Sequence, residues 1–261
     1  MILETQHLTI GYGSHVVQRG LDLRQRAGEL VCMLGRNGCG KSTLLRTLAS
    51  LQPVLGGDIL LDKRSLLTTS SRERARLLSL VLTERLSMDN TTVEDVVAMG
   101  RYPYSSFTGN LSQSDHDEID KALDGVGIMA KKKQFFNELS DGEKQRVLIA
   151  KALAQQTPVI LLDEPTSHLD LNNRIKILTL LRRLAHEEEK CVIISTHELD
   201  LALQLADVIW LMTPHEGIEI GSPQQLVESG VFHAAFQDKE FSLTNENGRL
   251  RVVIKQEERG L

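Results

Sequence analysis

At 261 residues the chain can bury one large core, or one core with an inserted subdomain, and it has no need of covalent or metal staples. A net charge of -5 argues against a broad electrostatic grip on nucleic acid. The three cysteines, Cys32, Cys39 and Cys191, include no C-x-x-C pair, so neither a disulfide framework nor a zinc site is suggested, which suits a reducing cytosol.

Met1 to Glu4 is followed by polar residues rather than an apolar signal core. No segment approaches the ~20 apolar residues that span a bilayer. A soluble protein is expected, with any membrane role coming through a partner. Leu3 to Ile10 alternates polar and apolar residues as a half-exposed strand does, and Gly11, Tyr12 and Gly13 then read as a turn. Tyr12 could stack on a base, a contact worth roughly 1 to 3 kcal/mol, or it could be a packing residue.

Glu29 to Leu34 is an apolar run with the branching of a buried strand, and Leu44 to Leu48 has helical spacing. Between them Gly35, Arg36, Asn37, Gly38, Cys39, Gly40, Lys41, Ser42 and Thr43 fit G-x-x-x-x-G-K-[ST]. The glycines let the backbone curl, so that successive N–H groups form an anion-binding nest at a helix N-terminus. Lys41 then reaches the β- and γ-phosphates, the Ser42 hydroxyl is placed for Mg²⁺, and Thr43 adds a phosphate hydrogen bond. A Gly-rich turn that binds nothing is the bland alternative.

Gly57 to Leu61 is predicted as a strand after a Gly56–Gly57 turn, and Leu77 to Leu82 as a strand covered on both faces. Thr91 with Glu94, and Ser112 with Asp115, read as capping boxes that open helices, with a break over 101–109. Roughly Glu84 to Gln155 is therefore a helical insertion between strands. Lys131, Lys132 and Lys133 read as a solvated face, or as a contact for an acidic partner. Ser140 with Glu143 opens the helix that runs through Ala154; that capping box is a complete structural explanation, while Ser140 and the Gly142 N–H would also suit a second phosphate contact.

Val159 to Leu162 is a buried strand whose exit carries Asp163 and Glu164, at the edge where open α/β sheets bind ligands. Asp163 can hold Mg²⁺ through its water shell and Glu164 can polarise an attacking water, although two acids capping the next helix is the plainer account. Ser167 to Asp170 leads into an amphipathic helix over Asn172 to Glu188. A further buried strand, Cys191 to Ser195, ends at His197, which could hydrogen-bond the γ-phosphate or its attacking water. Val208 to Met212 and Gly217 to Ile220 read as late strands, Ser222 with Pro223 and Gln225 as a helix start, and Phe241 to Thr244 with Leu250 to Ile254 as a hairpin around Asn247 and Gly248.

In their order and spacing, the loop at 35–42, Leu139 to Glu143, Leu161 to Pro165, Ser167 to Asp170 and His197 resemble the nucleotide-binding subunit of ATP-binding cassette transporters, over nearly the whole chain. The resemblance implies an α/β fold: a P-loop NTPase core with a mixed sheet flanked by helices, an N-terminal antiparallel β subdomain and an inserted α-helical subdomain. It implies one ATPase domain over 1–261, with 1–83 and 156–238 as RecA-like core and β subdomain, 84–155 as helical subdomain and 239–261 as C-terminal extension. By the same resemblance Tyr12 stacks on adenine, Glu164 is the general base, His197 is the switch histidine and Asp170 couples two subunits. The loop of one protomer would face Ser140 and Gly142 of a second copy, sandwiching two ATP molecules with Mg²⁺ in a head-to-tail homodimer.

Two departures stand out. Asp141 and Glu143 replace a second Gly and a Gln of the usual signature; if they pointed inward they would weaken ATP binding, so they are expected to face solvent or a partner. The family's Gln near the exit of the 77–82 strand is replaced by Glu84, or by Thr83 if the register is one off, and a carboxylate there could still bind Mg²⁺. The run Met99 to Tyr104 narrows the resemblance to importers of iron chelates, haem and cobalamin. That implies an ATPase at the cytoplasmic face of a bacterial inner membrane, working with a permease and indirectly a substrate-binding protein, and not with nucleic acid. An exporter ATPase, or a soluble cassette protein acting on DNA or ribosomes, are the alternatives.

Overall fold

The computed structural model describes residues 2–82, 88–105, 110–167, 169–213 and 217–236 in full, and 241–246 and 249–254 as backbone. The chain runs β1 (Ile2–Tyr12), β2 (His15–Leu21), β3 (Arg24–Arg26), β4 (Leu30–Leu34), α1 (Lys41–Leu48), β5 (Gly56–Leu61), β6 (Arg64–Ser65), α2 (Ser71–Leu77) and β7 (Leu78–Val81). It continues through α3 (Val93–Ala98), α4 (Gln113–Gly125), α5 (Asp141–Ala154), β8 (Val159–Asp163), α6 (Leu171–Glu187), β9 (Cys191–Ser195) and α7 (Leu199–Leu205). It closes with β10 (Val208–Thr213), β11 (Gly217–Gly221), α8 (Pro223–Glu228), α9 (Val231–Ala235) and the hairpin β12 (Phe241–Glu246) and β13 (Arg249–Ile254).

The central sheet has the order β11-β10-β4-β9-β8-β7, with β11 antiparallel to β10 and the rest parallel. Every residue of β4, β8 and β9 is buried, as strands covered on both faces must be. The period of two sorts their side chains between two cores. Leu30, Cys32, Leu34, Ile160, Leu162, Val192 and Ile194 face the helices, including α3 to α7. Val31, Met33, Val159, Leu161, Cys191 and Ile193 face α1 and a second, antiparallel sheet of order β2-β1-β5-β6, with β3 paired to β1. The mixed α/β architecture expected from the sequence is the one observed.

Several boundaries differ from expectation. Gly11 and Tyr12 belong to β1 rather than to a turn, pairing with Val16 and His15; a Cβ on Gly11 would lie 2.1 Å from the His15 carbonyl, so the glycine answers a close strand approach. Gly56 and Gly57 lie inside β5, where the pairing with β1 shifts register. Leu77 ends α2, so the buried strand is shorter than the apolar run. The first capping box is Thr92 with Asp95, one residue later than Thr91 with Glu94, and is closed by Thr92 N–H to Asp95 Oδ2 at 2.9 Å and Asp95 N–H to Thr92 Oγ1 at 3.2 Å. Lys131, Lys132 and Lys133 lie at the surface and pair with acids of the same chain: Lys131 with Glu143, Lys132 with Glu94 and Asp120, and Lys133 with Glu94. Thr83, Glu84, His168 and the hairpin residues Asn247 and Gly248 lie outside the described residues. Among the described residues no helix is long and apolar enough to cross a membrane.

Candidate active site

Three parallel strands, β4, β9 and β8, lie side by side, and each leaves the sheet at the same edge with chemically loaded residues. After β4 the chain turns through Gly35, at φ 154°, where a Cβ would collide with the Met212 carbonyl at 2.5 Å and the Cys39 sulfur at 2.7 Å. Gly40, left-handed at φ 107°, then starts α1 and, having no side chain, supplies no side-chain cap. Arg36, Asn37, Gly38 and Ser42 are exposed along this loop, whereas Cys39, Lys41 and Thr43 are buried. Lys41 Nζ donates to the Gly35 carbonyl at 2.8 Å, so its ammonium lies across the mouth of the curl. Burial holds the Cys39 thiol above its ordinary range against the opposing charge of Lys41, so it stays neutral under the loop. The Tyr12 and Thr43 hydroxyls are 2.9 Å apart, which places a half-exposed ring beside the end of this loop.

α1 packs directly on β8, so the second group of residues meets the first. Asp163 ends β8 opposite Ser195 of β9. Ser195 Oγ donates to Asp163 Oδ1 at 2.6 Å and accepts from the Glu164 N–H at 3.0 Å. Glu164 is itself left-handed, at φ 46°, an uncommon setting for a residue with a side chain. Its carboxylate lies 3.5 Å from His197 Nδ1. The Thr196 N–H, bonded to the Met33 carbonyl at 3.1 Å, ties the histidine-bearing strand exit to the strand before the loop. Beyond Glu164 the turn is braced by Glu198, which accepts from Thr166 Oγ1 at 3.2 Å and pairs with Arg174 at 3.2 Å.

Three predicted residues, Ser140, Gly142 and Asp170, stand apart. Asp170 caps α6, accepting from the Asn173 N–H at 2.8 Å, a bond that lowers its pKa. At the start of α5, Ser140 donates to Glu143 Oε2 from its N–H at 3.0 Å and its hydroxyl at 2.9 Å. Among the described residues no hydrogen bond joins Ser140, Gly142 or Asp170 to the loop at 35–43. Asp141 is exposed, as expected, while Glu143 turns back on its own helix cap and on Lys131. Ser195 and Glu198 were not singled out from the sequence. A hydroxyl ending the apolar run Cys191–Ser195, in step with Asp163, was the available signal for Ser195; Glu198 left none.

The donors around the loop are hard: one buried carboxylate, Asp163, and the exposed Ser42 hydroxyl. That set fits Mg²⁺, which takes one or two protein oxygens and fills its shell with water and phosphate.

A model of the ABC transporter family matches residues 18–167. The petrobactin import ATP-binding protein of Bacillus anthracis is 35% identical over 235 residues, covering 90% of this chain and 86% of its own. The ferric enterobactin transport ATP-binding protein of Escherichia coli is 34% identical over 225 residues, covering 86% and 83%. Among solved structures, a chain from a transporter described as of metal-chelate type, in an inward-facing conformation, superposes with a TM-score of 0.80 at 26% identity, covering 98% of both chains.

Proposed function

This chain belongs to the ABC transporter family and is an ATPase of that type, and from that premise we propose that it powers import of a metal chelate, siderophore-bound iron, haem or cobalamin, through a membrane permease. One observation carries the catalytic half of the reading: the Lys41 loop and the Asp163, Glu164 and His197 group leave neighbouring strands at one sheet edge, α1 packing on β8. The cargo half rests on the relatives named for siderophore transport.

In this reading the backbone N–H groups from Gly38 to Thr43 and the Lys41 ammonium receive the β- and γ-phosphates, and the Tyr12 ring stacks on the adenine. Ser42 and Asp163 would hold Mg²⁺, with Glu84 as a further oxygen donor, and the ion would supply positive charge to the phosphate oxygens. Glu164 takes the proton from the attacking water, and His197, 3.5 Å from that carboxylate, orients the water or the γ-phosphate. Ser140 and Gly142 serve a nucleotide bound by a second copy of the chain, and Asp170 lies at the junction of the two. That arrangement would explain why they do not meet their own loop. ATP then closes the pair and hydrolysis opens it, a population shift passed to the permease at the cytoplasmic face through the helices between β7 and β8.

The test is uptake. Cells lacking this gene should lose accumulation of labelled ferric siderophore, haem or cobalamin; the parent gene should restore it, and Glu164→Gln, which keeps the ATP contacts but not the base, should not. Uptake of all three cargoes unaffected by the deletion would refute the import reading.

A further inference from the structure

The start of α5 carries a charge that capping does not require. At α8 the same reciprocal box is closed by a neutral side chain: Ser222 N–H donates to Gln225 Oε1 at 2.9 Å, and Gln225 N–H to Ser222 Oγ at 3.2 Å. At α5 the corresponding residue is Glu143. Its Oε2 takes both the N–H and the hydroxyl of Ser140, while its Oε1 takes the Lys131 ammonium at 2.5 Å. Lys131 arrives from a separate one-turn helix, Met129–Lys131, and its neighbours in the basic run bond other acids, on α3 and α4. The lysine's bond and the Ser140 N–H bond hold the Glu143 carboxyl down at about 2, so the anion persists throughout the working pH range. A phosphate oxygen that accepted a hydrogen bond from Ser140 would therefore come within roughly 5 Å of a permanent carboxylate, close enough for strong repulsion at a partly dry interface.

We propose that Lys131 is a positioning residue for the ATPase reaction: it cancels the charge of Glu143 and holds that carboxylate on the helix cap, so that the Ser140 hydroxyl, on turning away from Glu143 Oε2, and the Gly142 N–H can receive the phosphates of a nucleotide carried by a second copy of this chain. The inference rests on the reading that Ser140 faces such a nucleotide. It makes Lys131 and Glu143 a matched pair, in which the lysine matters only because the acid is there.

The experiment is a double-mutant cycle on ATP hydrolysis by the full chain. Lys131→Ala should raise KM for ATP about tenfold, leave kcat within about twofold, and lose most of that defect as salt is raised. Glu143→Gln retains the capping geometry seen with Gln225 and should leave KM at or below the parent value. Placed in the Lys131→Ala background, it should bring KM back to the parent. A merely structural ion pair predicts otherwise: Glu143→Gln alone would harm the protein as much as Lys131→Ala, and the double variant would be no better. That pattern, or an unchanged KM in Lys131→Ala, overturns the proposal. Ser140→Arg separates the two levels. If it abolishes turnover while the cycle shows no coupling, the facing nucleotide stands and the role of Lys131 falls; if it leaves turnover intact, the reading beneath the proposal fails.

Discussion

Ser195→Ala isolates the hydroxyl that joins the two acids of the site. It is fully buried, donates to Asp163 at 2.6 Å and accepts from the Glu164 N–H at 3.0 Å. The bond to the carboxylate is charge-assisted and contributes about 1.5–3 kcal/mol; the bond from Glu164 adds less, because that N–H also reaches the Ser195 carbonyl at 3.2 Å. Loss of one oxygen atom leaves no cavity of consequence, so the total should be on the order of 2–3 kcal/mol, or a fall in Tm of roughly 4–12 °C for a chain of this size. The functional loss should exceed what stability explains. Asp163 is the proposed Mg²⁺ residue, and removing a hydrogen-bond partner of a metal-binding carboxylate typically lowers metal affinity or activity about 10–100-fold. Mg²⁺ titration of ATP hydrolysis at fixed ATP, well below the variant's Tm, measures this. An apparent Mg²⁺ affinity within about twofold of the parent would refute the argument that Ser195 sets the Asp163 carboxylate.

Lys41→Ala should weaken ATP binding about 10- to 100-fold, the equivalent of one or two charge-assisted hydrogen bonds, as measured by equilibrium binding of a fluorescent nucleotide. Arg101→Met should cost about 3 kcal/mol in chemical unfolding, since the buried guanidinium holds Asp115 at 2.8 Å, the Ala154 carbonyl at 2.7 Å and Gln156 at 2.8 Å. That estimate lies at the low end because Asp115 keeps its bonds from Ser112. In acid, Asp115 should be one of the groups that sets unfolding: hydrogen bonds from the Ser112 hydroxyl and N–H, then from Arg101, hold its carboxyl at about 2 against an ordinary 3.8. Its contribution is complete above about pH 4 and is lost as pH falls towards 2. Asp115→Asn should flatten that limb of the stability profile.

The parts of the fold most legible in the residues were those buried on both faces. β4, β8 and β9 are apolar until the last residues of β8 and β9, where Asp163 and Ser195 bond each other, and their limits came out within a residue. β2 and β3 were missed. They belong to the outer antiparallel sheet, are partly exposed, and owe their existence to pairing with β1 rather than to any periodicity of their own. The error at Thr92 has an equally local cause: two threonines precede two acids, so two overlapping boxes fit, and burial of Val93, Val96 and Val97 selects one. α7 was passed over because it begins at Glu198 without a side-chain cap. At the site, motif residues could be named one by one, but the links between them could not. Ser195 to Asp163 and Lys131 to Glu143 join separate elements, and spacing along the chain holds no trace of such a pairing.

The anchoring of α5 sets how force can travel through the molecule. Its 14 residues form a rod of about 21 Å, with Ser140 at one tip. The other tip is bolted down by the Arg101 guanidinium and by Gly100, whose Cα approaches so closely that a methyl group would stand 2.3 Å from the Lys151 carbonyl. A push on the short turn holding Gly100 and Arg101 would therefore bear directly on α5, the helix that carries Ser140 at its far tip.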